Sequence, residues 1–483
     1  MAIYKLQKTI GLWSAVSLVI GSVIGSNIFM KPATMAAQLG SPYMIIIVWV
    51  VAGIVSMFGA MAYAELGTMF PETGGQYIYL RYAFGDLVAY LYGWSSFAVI
   101  NTASIAAIGF VCASYTNYFI PLPQFSLATE QSILFHIPLV GDIFPLQNFG
   151  VKALAICIIA CLSVLNYLSV RSGNAVQFIA TLLKTGAILL LVVGILFSGM
   201  GSTDNFITNT PGFDWSIWKL LAGFMAATTG AFAAYDGWNN LNMIAGEIKN
   251  PAKTITKSLI MGLWTCILIY TLVTLAYMYV LPIDVIAKSP LVASKATEIV
   301  FGSVGGTIIA ILIVVSTFGT INVCLLTNSR VIYAMSDSKM FFKWAGKIHA
   351  RFHTPGNSVI LLGVWSSLLV LSGSFDLLAD MFIFISWIFY GLVIWGLFIL
   401  RKKMPNAERP YKAWGYPVVP LIFLLFTTVY IVTTFYNDIS NYVSGKSPII
   451  NSVFGLLLTA IGIPLYYYFK RKNKISNNKE TIL

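Results

Sequence analysis

The chain has 483 residues, 58% of them hydrophobic and only 10% charged, whereas a soluble domain carries about 25% charged residues. This composition excludes a soluble globular protein and indicates a polytopic membrane protein. The net charge of +12 does not indicate a nucleic acid partner. Lysine and arginine instead concentrate in the loops on one side of the predicted spans, as expected for cytoplasmic loops.

Apolar segments of about 20 residues, the length that crosses a bilayer, predict twelve transmembrane helices. They lie at 11–39, 43–68, 85–119, 150–170, 174–199, 215–244, 257–281, 302–335, 357–374, 377–400, 415–436 and 448–469. With an even number of spans, the basic loops predict that both termini are cytoplasmic. No cleavable signal peptide or organelle signal is evident. We therefore expect a multi-pass plasma membrane protein, most simply in a bacterial inner membrane.

The first span is interrupted by glycine and polar residues. Positions 21–29 read Gly-Ser-Val-Ile-Gly-Ser-Asn-Ile-Phe, and each glycine inside a helix costs about 1 kcal/mol relative to alanine. The pattern predicts a helix that breaks at membrane depth, with one fragment ending near Val23 and the next beginning near Ser26 or Asn27. The N–H groups and positive dipole at the start of the second fragment favour an anion such as a carboxylate.

The sixth span carries a second polar interruption, which runs from Thr228-Thr229-Gly230 through Tyr235 and Asp236 to Asn239. Two interrupted spans in corresponding positions of two halves are typical of a secondary transporter. Carbonyl groups freed at the second break favour a cation such as an α-ammonium group. Together the breaks match a zwitterionic α-amino acid, and a carboxylate with a sodium ion fits as well.

Spans 1–5 and 6–10 can be matched in opposite orientations, so that each half opens with a broken helix. We predict an all-α membrane protein with a five-plus-five inverted repeat. Its halves cover 1–200 and 201–402, helices 11 and 12 cover 403–470, and a polar cytoplasmic tail covers 471–483.

Three charged side chains within spans carry alternative interpretations. Lys184 lies in the fifth span, where a lysine costs at least about 2.5–3.5 kcal/mol without a partner. We favour a functional lysine that satisfies carbonyl groups freed in helix 1, or loses its proton, over one that extends to the surface. Asp236 either lines the solute path or caps the next part of helix 6. Lys31 either extends outward or lines an outer vestibule.

The chain lacks the short motifs of soluble hydrolases, zinc peptidases and phosphate-binding enzymes, so we do not expect an enzyme. Its five cysteines fall within predicted spans and have no zinc-ligand spacing; they are Cys112, Cys157, Cys161, Cys266 and Cys324. We expect no metal and no cofactor.

The chain resembles the amino acid–polyamine–organocation superfamily, and within it the L-type amino acid transporter branch, over essentially its whole length. Four stretches carry the resemblance: Gly21–Phe29; Phe70-Pro71-Glu72-Thr73-Gly74-Gly75-Gln76-Tyr77; Ala234-Tyr235-Asp236-Gly237-Trp238-Asn239 with Gly246-Glu247-Ile248-Lys249-Asn250-Pro251; and Phe318-Gly319-Thr320-Ile321-Asn322 with Ser329-Arg330.

The resemblance implies alternating access with a substrate site at the two breaks. Backbone amides of Gly25, Ser26, Asn27 and Ile28 match the carboxylate cradle of the family. Carbonyl groups near Val23 and Ile24, with those around Phe232, Ala233, Ala234, Tyr235 and Asp236, match its amine site. Lys184 matches a lysine that replaces a coupling ion in sodium-independent members. Tyr270 matches a tyrosine that couples the substrate region to helix 1, and Asn322 is a further pocket candidate.

Two departures from the family pattern affect the expected site. Asn27 replaces the usual glycine of the cradle, so that its amide side chain can reach into the pocket. Ala233 stands where relatives often carry a bulky gate. Side-chain preference therefore cannot be transferred.

The resemblance and Lys184 together predict sodium-independent exchange of L-amino acids. A proton-coupled symporter on the same fold is the main alternative, and an amino acid sensor without net flux is a remote one. Since no cysteine lies between Ile120 and Lys152, we predict no disulfide-linked heavy subunit. The expected partners are the amino acid substrate and the lipid bilayer.

Overall fold

A computed structural model describes residues 10–25, 27–72, 74–168, 185–243, 245–349 and 354–480. Helices make up almost all of its regular structure. The helices of the first part of the chain are α1 Leu12–Val23, α2 Asn27–Leu39, α3 Pro42–Met69, α4 Gln76–Phe84, α5 Asp86–Ser95, α6 Asn101–Phe119, α7 Leu127–Glu130, α8 Phe149–Leu168 and α9 Thr185–Leu196. A π-helical turn, Ser96–Ile100, joins α5 to α6.

The second part of the chain continues the helical pattern. Its helices are α10 Ile217–Tyr235, α11 Asn240–Met243, α12 Pro251–Val280, α13 Ile283–Ala287, α14 Val292–Asp337, α15 Gly356–Ser372, α16 Phe375–Lys403, α17 Val418–Val443, α18 Asn451–Ala460 and α19 Gly462–Glu480. Short 3-10 turns occupy Thr203–Phe206 and Ala245–Glu247. Helix α14 is interrupted at Gly302, where φ is +70°.

A short antiparallel hairpin is the strand structure of the described residues. Strands β1 Phe135–Ile137 and β2 Gly141–Ile143 pair with Phe135 opposite Ile143. Gly141 also bridges to Ile449, just before α18. The hairpin therefore ties the loop that follows α6 to the start of the last span.

Nine helices of the described part are long and apolar enough to cross a membrane, and the bent pair α1–α2 makes ten. Two shorter apolar helices, α9 and α15, lie in the remaining predicted spans. Each of the twelve predicted segments therefore contains a helix, and the prediction of an all-α polytopic membrane protein is confirmed.

The chain divides into two compact units that alternate along the sequence. The first comprises Met1–Ala89, Ile188–Gly306 and Ser386–Thr434, and the second comprises Tyr90–Ala187, Thr307–Ile385 and Phe435–Leu483. Both predicted breaks fall in the first unit. This division groups residues by their contacts, whereas the predicted division at residues 200 and 402 groups them by sequence repeat. The inverted repeat stays a prediction.

Small residues allow close helix packing in the first unit. A Cβ at Gly53 of α3 would lie 2.3 Å from the Ile267 side chain of α12, and one at Gly262 of α12 would lie 2.5 Å from Val19 of α1. Glycine at such contacts lets membrane helices approach closely, because lipid supplies little hydrophobic drive between them. Helix α12 is thereby held against both α1 and α3.

Candidate functional site

The first break separates α1 from α2 by a bend of 46°. Helix α1 ends at Val23, Ile24 takes an extended conformation, and α2 begins at Asn27, which agrees with the predicted ends of the two fragments. The first N–H groups of a helix have no partner within it, and they carry the positive end of its dipole. The thirteen-residue helix α2 therefore directs the positive end of its dipole at the break.

The second break begins at the end of α10. The helix ends at Tyr235, Asp236 is extended, and Gly237 has φ of +106°. A Cβ on Gly237 would lie 2.7 Å from the carbonyl oxygen of Ser22 in α1. Glycine is thus required both by the backbone angle and by the contact that brings the second break against the first.

The predicted start of the second break, at Thr228, was wrong. Helix α10 is continuous through Thr228, Thr229 and Gly230. The Thr228 hydroxyl donates to the Phe224 carbonyl within the helix, at 2.6 Å. Gly230 instead provides room, since a Cβ there would lie 3.2 Å from Cδ of Lys31. The interruption is therefore confined to the residues after Tyr235.

Asn27 links the two breaks directly. Its Nδ2 donates to the carbonyl oxygen of Ala233, at 2.7 Å, although the two residues are 206 positions apart. Ala233 lies in the last turn of α10, where carbonyl groups have no partner within the helix. The residue that departs from the family pattern thus occupies one of the carbonyl groups expected to bind the amine.

Tyr270 of α12 makes a second link between the breaks. Its hydroxyl lies 2.8 Å from the Val23 carbonyl and 2.8 Å from the Ala234 carbonyl. A hydroxyl has one hydrogen to donate, so it satisfies these two acceptors only one at a time. The carbonyl groups of Val23, Ala233 and Ala234 therefore retain capacity for a further donor.

Aromatic side chains enclose this set of carbonyl groups. The ring centres of Tyr235 and Tyr270 are 5.1 Å apart, and that of Trp49 lies 5.1 Å from Tyr270. The Tyr235 hydroxyl donates to the Trp49 carbonyl at 3.0 Å. All three side chains are fully buried. Hydrogen bonds at the breaks therefore form in a low-dielectric setting, where an unpaired polar group is costly.

The other predicted residues of the first unit take different positions. Ile24 and Ile28 are buried in the core. The Phe232 side chain packs on Trp387 and Tyr430, so only its backbone remains a candidate. The Asp236 carboxylate accepts from the Tyr390 hydroxyl, a partner that neither interpretation of Asp236 anticipated.

The contacts described above do not include three of the predicted residues. Ser26 and Lys184 lie outside the described residues. Asn322 belongs to the second unit, where its Oδ1 accepts from Nδ2 of Asn166 at 2.7 Å. The structure gives Asn322 a side-chain partner, and its role in the pocket stays a prediction.

The comparison with known protein families covers nearly the whole chain. A family model described as amino acid permease matches residues 10–460. The chain belongs to the amino acid permease family. The resemblance to this superfamily, predicted from the four sequence stretches, is confirmed.

Individual relatives of this permease are transporters of the L-type branch. It is 31% identical to the human b(0,+)-type amino acid transporter 1, over 89% of this chain and 82% of the relative. It is 29% identical to the serine/threonine exchanger of Bacillus subtilis strain 168, over 97% and 98%. It is 30% identical to the human cystine/glutamate transporter, over 96% and 86%.

Lys31 of α2 is a residue of the permease whose position the sequence predicted wrongly. Both expectations for it required exposure, but only 2% of the residue is exposed. Its aliphatic stem packs on Gly230 of α10. Lys31 follows Asn27 by four positions, so both lie on the same face of α2. That spacing, with a glycine on the facing helix, is the signal that could have revealed the contact.

The π-helical turn Ser96–Ile100 in the second unit was not anticipated. The Thr102 hydroxyl donates to the Phe97 carbonyl at 2.8 Å, and the Trp365 indole donates to the Ala98 carbonyl at 2.8 Å. Such turns are frequent at functional sites. No glycine or proline marks this one in the sequence.

A buried ionic cluster in the first unit surrounds Glu65 at the end of α3. Its carboxylate accepts from Nε and Nη2 of Arg401 at 2.9 and 2.5 Å, and from the backbone N–H of Ala413 at 2.7 Å. Arg409 lies 3.3 Å away. Glu65 is completely buried. Within the described residues, no group of three potential metal ligands occurs.

Proposed function

We propose that this permease transports L-amino acids by sodium-independent alternating access and exchanges one amino acid for another. The observation that carries the proposal is the approach of two opposite helix ends, the N-terminus of α2 and the C-terminus of α10. Asn27 joins α2 to the Ala233 carbonyl of α10, and Tyr270 joins the Val23 carbonyl of α1 to the Ala234 carbonyl of α10.

The two ends suit the two charges common to every α-amino acid. The first amides of α2 supply N–H donors and a positive dipole for the carboxylate. The carbonyl groups of Val23, Ala233 and Ala234 supply acceptors for the ammonium group. Because Tyr270 donates one hydrogen to two carbonyl oxygens, an ammonium group would complete the donors that these acceptors lack. Recognition then depends on the backbone and leaves the side chain to other contacts.

The names of the relatives agree with this substrate class and differ in the side chains they imply. One is a serine/threonine exchanger and another a cystine/glutamate transporter. The proposal therefore covers L-amino acids as a class and leaves the preferred side chain open. Exchange is favoured by the Bacillus subtilis relative, which is a serine/threonine exchanger and matches along almost its whole length.

Several finer features belong to the same proposal. Lys184 takes the place of a coupling cation, and Tyr270 transmits the occupancy of the site to α1. Both termini are cytoplasmic, the membrane is a bacterial inner membrane, and the chain works without a disulfide-linked heavy subunit.

The proposal is tested by uptake of radiolabelled amino acids into proteoliposomes, in sodium-free buffer at equal pH on both sides. Each amino acid is measured with and without an unlabelled internal pool. We expect uptake that the internal pool stimulates strongly. Uptake that instead depends on an inward proton gradient would replace exchange by proton symport. Binding without flux of any amino acid would indicate a sensor.

A further inference from the structure

Asn27 places an amide donor where the proposed function puts the substrate ammonium. Its Nδ2 lies 2.7 Å from the Ala233 carbonyl oxygen, which is the distance of a short N–H···O hydrogen bond. A glycine, as in the family pattern, has no such donor. The protein itself can therefore satisfy one of the acceptors that a bound ammonium group would satisfy.

The position of Asn27 is fixed by its neighbours on both helices. Four residues further along the same face of α2, Lys31 is buried against Gly230 of α10. Gly230 precedes Ala233 by three positions, so the two contacts follow each other along both helices. The contact at Lys31 holds the α2 face against α10, and the Asn27 amide is thereby directed at the last turn of α10.

We propose that Asn27 acts as an internal substitute for the substrate ammonium and allows the permease to change orientation with no amino acid bound. This inference rests on the proposed function and deepens it. A carrier that reorients empty must bury its unused carbonyl groups, and a buried acceptor without a donor is costly. Asn27 removes that cost at Ala233. Exchange by this chain is then not obligatory, and part of the flux is net transport.

The inference concerns the step in which the empty carrier reorients. With substrate bound, the ammonium group supplies donors to the same carbonyl groups. Loss of the Asn27 amide should therefore slow the return of the empty carrier more than it slows exchange. One unsatisfied buried acceptor corresponds to a slowing of about tenfold.

The test measures efflux of a labelled amino acid from proteoliposomes, first into amino-acid-free buffer and then into saturating unlabelled amino acid. The ratio of the two rates reports return of the empty carrier relative to exchange. We expect Asn27→Ala and Asn27→Gly to lower this ratio by about tenfold, whatever their effect on the exchange rate itself. Asn27→Gln, which keeps an amide donor, should retain more of the ratio. If Asn27→Ala and Asn27→Gly lower the ratio equally, the effect comes from loss of the side-chain amide and not from added backbone flexibility.

A second measurement uses ligands that lack the α-ammonium group, in competition with a transported amino acid. Wild type supplies its own donor to Ala233, so the deaminated acid should compete better against wild type than against Asn27→Ala, by about tenfold relative to the parent amino acid.

An unchanged efflux ratio in Asn27→Ala and Asn27→Gly, or an equal fall of both rates, would overturn this inference and leave the proposed function standing. Failure of wild type to carry any amino acid would overturn both.

Discussion

In the first unit, Asn27 and Tyr270 bond to main-chain carbonyl groups at the ends of broken helices. In the second unit, Nδ2 of Asn166 donates to Oδ1 of Asn322 and to the Leu162 carbonyl of its own helix α8. A carbonyl at a helix end keeps capacity for another donor, whereas the paired amides use part of theirs on each other. We therefore expect substrate to bind where polar side chains meet the ends of broken helices, and not where they pair with each other.

The largest expected effect comes from a substitution that prevents the close contact between the two breaks. Gly237→Val places a Cβ 2.7 Å from the Ser22 oxygen at φ of +106°, a conformation in which a β-branched residue is strongly disfavoured. We expect transport to fall at least about a hundredfold, given the several kcal/mol that strain and overpacking cost together. Proteoliposome exchange measures it.

Gly25→Ala is the matched control at the first break. Among the described residues, only the Val23 oxygen lies within 4 Å of a Cβ at Gly25, at 3.8 Å, and alanine keeps the backbone N–H of the cradle. Transport should stay within about twofold of wild type, since no contact is lost. An equal loss of transport in both variants would show that any added side chain at the breaks is harmful. The effect of Gly237→Val could then not be attributed to its contact with Ser22.

Lys184→Ala tests whether the charged Lys184 side chain donates hydrogen bonds to the carbonyl groups freed at the first break. If Lys184 supplies donors to the freed carbonyl groups of helix 1, its loss should lower exchange by about tenfold or more. Lys295→Ala is the control, because the Lys295 side chain is 49% exposed and forms an ion pair with Glu298. Near-normal exchange in Lys184→Ala would remove that lysine from the mechanism.

Tyr270→Phe removes the hydroxyl that links Val23 to Ala234. One buried carbonyl then lacks its donor, which corresponds to a fall in exchange rate of about five- to a hundredfold. Tyr277→Phe is a close control on the same helix, because the Tyr277 hydroxyl is buried and has no hydrogen-bond partner among the described residues. If Tyr270→Phe and Tyr277→Phe slow exchange equally, the link that the Tyr270 hydroxyl makes between the two breaks has no specific role in transport.

The smallest effect is expected in the second unit. Asn166→Ala and Asn322→Ala should each lower the free energy of unfolding by about 1 kcal/mol, and the double variant should lose less than their sum. Thermal unfolding in detergent measures these values, with KM for transport measured alongside. A change in KM for Asn322→Ala alone would return Asn322 to the substrate path.

Much of the fold could be predicted because a bilayer constrains the sequence strongly. The long apolar segments located each helix of the described residues that is long and apolar enough to cross a membrane. Gly25 and Asn27 within such a segment located the first break to within a residue. The second break was placed too early, because Thr228 and Gly230 look like helix-breaking residues. In the structure the threonine bonds within its own helix and the glycine accommodates Lys31.

The contacts within the site were harder to predict, since they join residues far apart in the sequence. Asn27 was recognised as a departure, but its partner Ala233 depends on how α2 lies against α10. The burial of Lys31 depends on the same packing. Tyr390, which bonds Asp236, occurs in an apolar stretch of α16 that carries no local signal.

The cluster around Glu65 has a consequence for the order in which the chain is made. Glu65 is synthesised early, but its partners Arg401 and Ala413 follow 336 and 348 residues later. Until α16 has been inserted, the Glu65 carboxylate near the end of α3 lacks these partners. An unpaired carboxylate makes insertion of that end of α3 into the bilayer unfavourable. A nascent chain that stops before Arg401 therefore carries an acid whose partners have not yet been made.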